Sequence, residues 1–336
     1  MSNSLSDPER VATVDLDVSP PARRPRAAGP YTGIVLATCA LFVLSAIVVP
    51  KSLSAQSLGA MLPFWAILAI MSAGQTLVIQ QRGIDLSIPG VVSLTAMGFV
   101  VFVDRNDAPV FVGLLVVVAL GVVIGLVNGL INTRINVTPL ITTLALNALL
   151  VGAMFTYTKG VGSAAPPSLQ AFAASSVLGI STLVWLAIAT VLVVGFVLRQ
   201  TAVGRRFVAV GANPDAARAI GVRVDCYIVG AYIAAALLFA LAAVLLAGYA
   251  QNPAPTMGNP YLFQTVMAVV IGGTSLAGGR GSVVATAVAA LFLTQLGQVV
   301  LTLGANAAVQ LLVQAIAMAL ALAGAAMLER RRKRTA

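Results

Sequence analysis

Ten stretches of the chain, near 31–50, 58–80, 86–103, 109–132, 137–157, 176–198, 226–250, 261–276, 282–303 and 307–328, are dominated by apolar residues. A helix needs about 20 such residues to cross the hydrocarbon core of a bilayer. The stretches are continuous and lack period-two alternation, which argues for helices and against a barrel. Of all residues, 59% are hydrophobic and 9% charged, where a soluble domain carries about 25% charged residues. So little charge cannot keep a soluble surface wet. The expectation is an all-α polytopic membrane protein of about ten transmembrane helices. The stretches at 86–103 and 261–276 are short. The second ends in a glycine cluster and reads either as a span or as a re-entrant segment.

Basic residues set the orientation. With the N-terminus inside, ten spans place 17 of the 20 Lys and Arg in the cytosol, in both tails and in loops near 81–85, 133–136, 199–225 and 277–281. Only Lys51, Arg105 and Lys159 stay outside. This is the asymmetry of the positive-inside rule, so both termini are expected in the cytosol and 158–175 outside. The net charge of +10 is then a matter of orientation and not of a nucleic-acid partner. Residues 1–30, polar and rich in Pro and Arg, read as a disordered cytosolic tail. Residues 31–328 form the transmembrane domain, with 199–225 as its longest inner loop, and 329–336 form a basic cytosolic tail. The first apolar stretch has no small-residue cleavage site after it and reads as an anchor. Histidine, the commonest metal ligand and general base, is absent. No metal-ligand cluster or cofactor motif occurs. Cys39 and Cys226 lie in or beside apolar stretches and read as packing residues, not a disulfide.

Three segments carry local signals. In Gly204–Gly221, Asn213 suits an N-cap, Pro214 the first helical position, Asp215 the N-terminal dipole and Gly221 a C-terminal cap. A helix over 214–220 follows, which either docks on a partner or only reverses the chain. Arg205, Arg206, Arg218 and Arg223 flank it, and Ala216, Ala217 and Ile220 supply an apolar side. In Gln80–Gly90, Asp85 is an ionisable group close to a span and so a functional candidate. Alternatively it caps a helix beginning near Leu86 and pairs with Arg82, with Pro89 in the first turn. In Gly272–Ser282, the glycines suit tight turns and close packing, and no lysine follows to complete a phosphate-binding loop. Gly83, Asp85, Gly272, Gly273, Gly278 and Gly279 are thus read as turn or conformational positions. Polar residues within spans recur at helical spacing: Asn128 with Asn132, Thr143 with Asn147, Gln295 with Gln298, and Gln310 with Gln314. They could line a path for a neutral hydroxylated solute or bind helices together.

Proton-driven carriers usually hold Asp, Glu or His in the membrane, and this chain offers Asp85 at most. No nucleotide site is present, so an energy source implies a partner. A scaffold or receptor subunit without transport, or a secondary transporter, are the rival readings.

The segments Gly83-Ile84-Asp85-Leu86-Ser87, Pro139–Leu144, Gly204–Gly221 and Ile271–Ser282 resemble the permeases of bacterial ABC importers for ribose and related sugars, in the branched-chain permease superfamily. The resemblance covers about residues 60–328. It implies a multi-pass inner-membrane subunit with no catalytic residue. It also implies a second permease copy in a homodimer, cytosolic ABC ATPase subunits and a periplasmic solute-binding protein. The 204–221 segment would dock on the ATPase, with Asn213, Pro214, Ala216, Ala217, Arg218 and Gly221 as its coupling residues. Pentose, hexose, polyol and nucleoside stay open as solutes, and the superfamily also includes branched-chain amino acid permeases. Arg82 stands where that family usually has Gly.

Overall fold

The computed structural model describes residues 31–135 and 137–334. The tail assigned to 1–30 lies outside the described residues, as do the last two residues of the basic C-terminal tail. Thirteen α-helices carry the described chain: α1 (Thr32–Val48), α2 (Ala55–Gln80), α3 (Ile88–Arg105), α4 (Val110–Arg134), α5 (Pro139–Thr158), α6 (Pro167–Ala174), α7 (Thr182–Gln200), α8 (Ala202–Ala212), α9 (Pro214–Ala219), α10 (Val224–Ala250), α11 (Tyr261–Ile271), α12 (Val283–Thr302) and α13 (Ala307–Arg334). Seven of them, α2, α3, α4, α5, α7, α10 and α12, are long and apolar enough to cross a membrane. Three shorter apolar helices, at Thr32–Val48, Tyr261–Ile271 and Ala308–Leu320, occupy the remaining apolar stretches. The span expected from 176 begins at Thr182 instead. Ser176–Val177 and Ile180–Ser181 pair as a small hairpin before it.

α2 is central: 83% of its apolar window is buried, against 22% in α5 and α7. A helix that is apolar on every side belongs inside, and α2 packs on α7, α10, α11 and α12. Its Trp65 indole donates to the Ala287 carbonyl of α12 at 3.0 Å, and its Thr76 hydroxyl lies 3.0 Å from that of Thr286. Neither helix association nor specificity can come from the hydrophobic effect in lipid, so close packing of small residues must supply it. The α4–α10 contact shows this directly. Gly121, Gly125 and Gly129 form one small-residue stripe on α4. A side chain at Gly125 would run into the Ile233 backbone of α10, and one at Gly129 would come 2.7 Å from Val229 Cα. α10 answers with buried Ala235, Ala236, Ala240 and Ala243 toward its neighbours.

Two connections between helices reach into the bundle. α3 starts at Ile88, not at the end of α2, and residues 81–87 between them are not helical. The Gly90 N–H donates to Asn147 Oδ1 at 2.7 Å, and Asn147 is near the middle of α5. The first turn of α3 is therefore level with mid-α5. The second is 251–260, after which α11 runs for only 11 residues, about 16 Å at helical rise, short of a ~30 Å core. The stretch read as 261–276 is thus a half-length helix that ends at Ile271. The two connections meet: Gly258 packs on the Pro89 backbone, and its N–H points to Ser93 Oγ at 3.4 Å.

If the glycine stripe sets the α4–α10 distance, Gly125→Leu should overpack the contact by about 1–3 kcal/mol and lower the melting temperature of the detergent-purified protein. Gly152→Leu on α5, where an added Cβ meets nothing within 4 Å, should leave it unchanged.

Candidate translocation and coupling site

Non-helical backbone at membrane depth survives only where protein groups satisfy its N–H and C=O. Around residues 84–90 those groups are the polar side chains of the neighbouring spans. Thr143 Oγ1 of α5 accepts the Leu86 N–H at 3.0 Å and lies 3.3 Å from the Ile84 carbonyl. Asn147, one turn on, accepts from Gly90. Asp85 is buried, and its Oδ1 accepts from both the Ser87 N–H at 2.8 Å and the Ser87 hydroxyl at 2.5 Å. Asn128 of α4 is fully buried and donates to Ser87 Oγ at 3.2 Å. Gly83 lies beneath the Tyr232 hydroxyl, which a side chain there would meet at 2.5 Å. Asn128, Thr143 and Asn147 are accordingly brought together on one backbone segment. The pairing of Asp85 with Arg82 does not form. Asp85 turns inward to Ser87, and Arg82 points away to α8.

That second contact builds a junction at the ends of α2 and α8. Arg82 has φ 65°, a left-handed conformation that costs a non-glycine residue roughly 1–2 kcal/mol. Its guanidinium offsets this by donating to the Gly211 carbonyl at 2.9 Å and to the Ala212 carbonyl, charge-assisted bonds being the stronger kind. Gln81 Nε2 donates to the Phe207 carbonyl at 2.8 Å. The 272–282 segment closes the junction: Gly279 N–H donates to the Gln80 carbonyl at 2.9 Å. Gly278 and Gly279 have φ 84° and 72°. A side chain would strike Arg82 Cγ at the first and Ala212 Cα at the second, each at 2.5 Å. Gly272 seats against the Thr286 backbone of α12, and Gly273 shares the left-handed turn geometry. The end of α2, the end of α8 and the glycine loop after α11 are thus one hydrogen-bonded unit.

α9 hangs on this unit. Asn213 Oδ1 accepts the Ala216 N–H at 3.0 Å, Pro214 opens the helix, and Gly221 follows it with φ 82°. The apolar side expected of Ala216, Ala217 and Ile220 divides. Ala217 is buried within the chain with Val210 and Val224, while Ala216 and Ile220 are exposed. Arg218 pairs with Asp215 at 3.1 Å on the surface. α8, an amphipathic helix that seats Phe207 and Val210 inward, was hidden in sequence by its short length and two arginines.

A cavity of about 410 Å³ lies between α2, α10, α11, α12 and α13. Gln264, Gln298, Gln310 and Gln314 line it with Tyr261 and Thr294, against apolar walls such as Phe64 and Leu68. Gln264 Nε2 reaches Gln314 Oε1 at 3.4 Å, and Gln314 Nε2 reaches the Leu293 carbonyl at 3.2 Å. Gly297 lets Gln310 lie flat against α12. The lining holds no charged side chain. Gln298 is therefore in the cavity, but Gln295 is not: it is buried toward Ser52, 3.5 Å away. Asn132 is partly buried, and both its amide atoms lack a protein partner among the described residues. Gln264 was missed in sequence because it stands alone in α11. Cys39 and Cys226 are free, not a disulfide, and both are exposed on the chain and not packed inside it.

Apolar helices long enough to span a membrane, packed around an uncharged cavity, fit a membrane permease, and comparison with known proteins agrees. Residues 57–322 match the family described as branched-chain amino acid transport system / permease component. The chain belongs to that family and is a multi-pass inner-membrane permease. It is 34% identical over 292 residues to the ribose import permease protein RbsC of Escherichia coli K12, covering 84% of this chain and 90% of that one. It is 31% identical over 296 residues to RbsC of Bacillus subtilis, covering 87% and 90%. It is 30% identical over 270 residues to the autoinducer 2 import system permease protein LsrC of Shigella flexneri, covering 80% and 79%. No solved structure matches the chain.

Thr143→Val keeps shape but removes the acceptor for Leu86 N–H, and should cost about 1–3 kcal/mol, read as a lower midpoint of unfolding in detergent. Thr156→Val on the exposed face of α5, where the hydroxyl only returns to Gly152 of its own helix, should be neutral within error.

Proposed function

We propose that the chain is the membrane-spanning permease subunit of an ABC importer for a sugar or sugar-like solute. In this reading a periplasmic binding protein delivers the solute, and cytosolic ATPase subunits drive its passage through a dimer of permeases. The observation that carries the solute class is the lining of the cavity, uncharged and mostly apolar with four amide side chains. Amides and hydroxyls can both donate and accept, as a neutral polyhydroxyl compound requires. An amino acid zwitterion would leave its carboxylate and ammonium unpaired there, at the high cost of burying a lone charge. The names of the ribose and autoinducer 2 relatives support the same choice. The family description, which speaks of branched-chain amino acids, describes the wider group.

The energy source lies outside the chain, since no nucleotide-binding motif occurs in its sequence. We place both termini and the 199–225 segment in the cytosol on the 17-to-3 division of basic residues. All ten apolar helices count as crossing or entering the bilayer. The cavity then lies in the outer half, beside the end of α10. α9 is the coupling element. Its capped ends make it rigid, Ala217 fixes it to α8 and α10, and the junction at Gln80, Arg82, Gly211 and Gly279 ties it to the end of α2 and to the loop after α11. Asn213, Pro214, Ala217 and Gly221 shape the element, while Ala216 and Arg218 face the ATPase. Asp85, Gly83, Gly272, Gly273 and Gly278 set the turns that the movement works against.

A cysteine at Ala216 tests this reading in a background with Cys39→Ser and Cys226→Ser. An impermeant maleimide should label Ala216→Cys in inverted vesicles but not in intact spheroplasts, and Ser168→Cys, on α6, the other way round. Saturating ATPase subunit should protect Ala216→Cys. Labelling of both from one side would reject the orientation, and labelling unaffected by bound ATPase would reject α9 as the docking element.

A further inference from the structure

A cleft of about 800 Å³ lies between α7, α8 and α10, away from the glutamine cavity. Its deep wall is apolar and belongs to the spans, with Val193 and Val197 from α7 and Ala231 and Ala234 from α10. Its rim carries Arg206 of α8 and Arg223 just ahead of α10. One opening therefore runs from hydrocarbon depth to a pair of cations at the level of the membrane surface.

Three observations bear on what fills it. Neither guanidinium has a hydrogen-bond or ion-pair partner among the described residues, which is also true of Arg134 and Arg280, but those two do not line the cleft. Apolar Val203 and Ile220, 58% and 77% exposed, line the same cleft next to the arginines, an arrangement that water alone does not favour. Gly230 opens space in the wall, because an added Cβ there meets nothing within 4 Å. A sugar would find no amide in the deep part. A soluble ATPase would not reach hydrocarbon depth. An amphiphile with an anionic head satisfies both ends, since basic pockets between transmembrane helices on the cytosolic side suit anionic lipid headgroups.

We propose that this cleft binds an anionic phospholipid of the inner leaflet, with an acyl chain between α7 and α10 and the phosphate on Arg206 and Arg223. The inference rests on the cytosolic orientation argued above, which the cysteine labelling tests separately. It is independent of the solute and of the ATPase.

Native mass spectrometry of the purified full-length permease, without other subunits, tests it with phosphatidylglycerol and phosphatidylcholine of matched acyl chains. Phosphatidylglycerol should be retained about thirty-fold more tightly, the ratio expected from two basic side chains at an anionic headgroup. R206Q/R223Q, both surface changes, should remove that preference while the melting temperature without added lipid stays the same. Gly230→Leu should weaken retention of both lipids. Equal retention of the two lipids by the unaltered protein, an undiminished preference in R206Q/R223Q, or unaltered retention in Gly230→Leu would each overturn the proposal.

Discussion

A peptide group in hydrocarbon has no water to bond to, and that constraint governs this molecule. Ten apolar helices could satisfy it trivially by running unbroken. The connections at 81–87 and 251–260 are non-helical, and they meet where Gly258 touches Pro89. Each exposed N–H and C=O there then needs a side chain from a neighbouring span. At 84–90 Thr143 and Asn147 of α5 supply backbone partners, Asp85 accepts the Ser87 N–H, and Asn128 of α4 holds the Ser87 hydroxyl. Their positions in turn fix α4 and α5 against α3, and the glycine stripe of α4 brings α10 close enough to enclose them. Non-helical backbone within transporter spans commonly lines the region where solute is bound, and here it lies beside an uncharged cavity.

The first of these segments also ties one end of the bundle together. Here the last residues of α2, Gln80 and Gln81, and the following Arg82 bond to the backbone of α8 and of the glycine loop. α8, which α9 adjoins, is thereby tied to the end of α2 and to the loop after α11. A left-handed position that favours glycine is held by arginine, whose side-chain bonds to Gly211 and Ala212 reinforce the junction.

Much of this was legible in the sequence, and the rest was not for definite reasons. Apolar run lengths gave the spans, because hydrocarbon thickness dictates them. Capping chemistry gave α9, because Asn213 and Pro214 act on their own backbone. That the stretch at 261–276 does not run as one full-length helix was visible in its length and its glycines. Partners across the fold were not visible. Asp85 and Arg82 are close in sequence, and only tertiary packing turns one toward Ser87 and the other toward α8. The polar pairs on spans were found by periodicity, but periodicity cannot say which face meets protein and which meets a cavity. Asn128, Thr143 and Asn147 serve the non-helical segment, Gln295 turns to Ser52, and Gln298 reaches the cavity. Ala217 was read as an outward contact because spacing alone does not reveal that Val210 and Val224 close over it.

The central claim is that this chain opens a path for an uncharged solute and that its partners supply the work. Proteoliposomes containing the purified permease, with or without the ATPase subunit and the binding protein, test it most directly when loaded with ATP and offered the labelled sugar that the binding protein holds. The account predicts accumulation only when all three proteins and hydrolysable ATP are present, and none when a proton gradient replaces ATP. Accumulation by the permease alone on a proton gradient would contradict it.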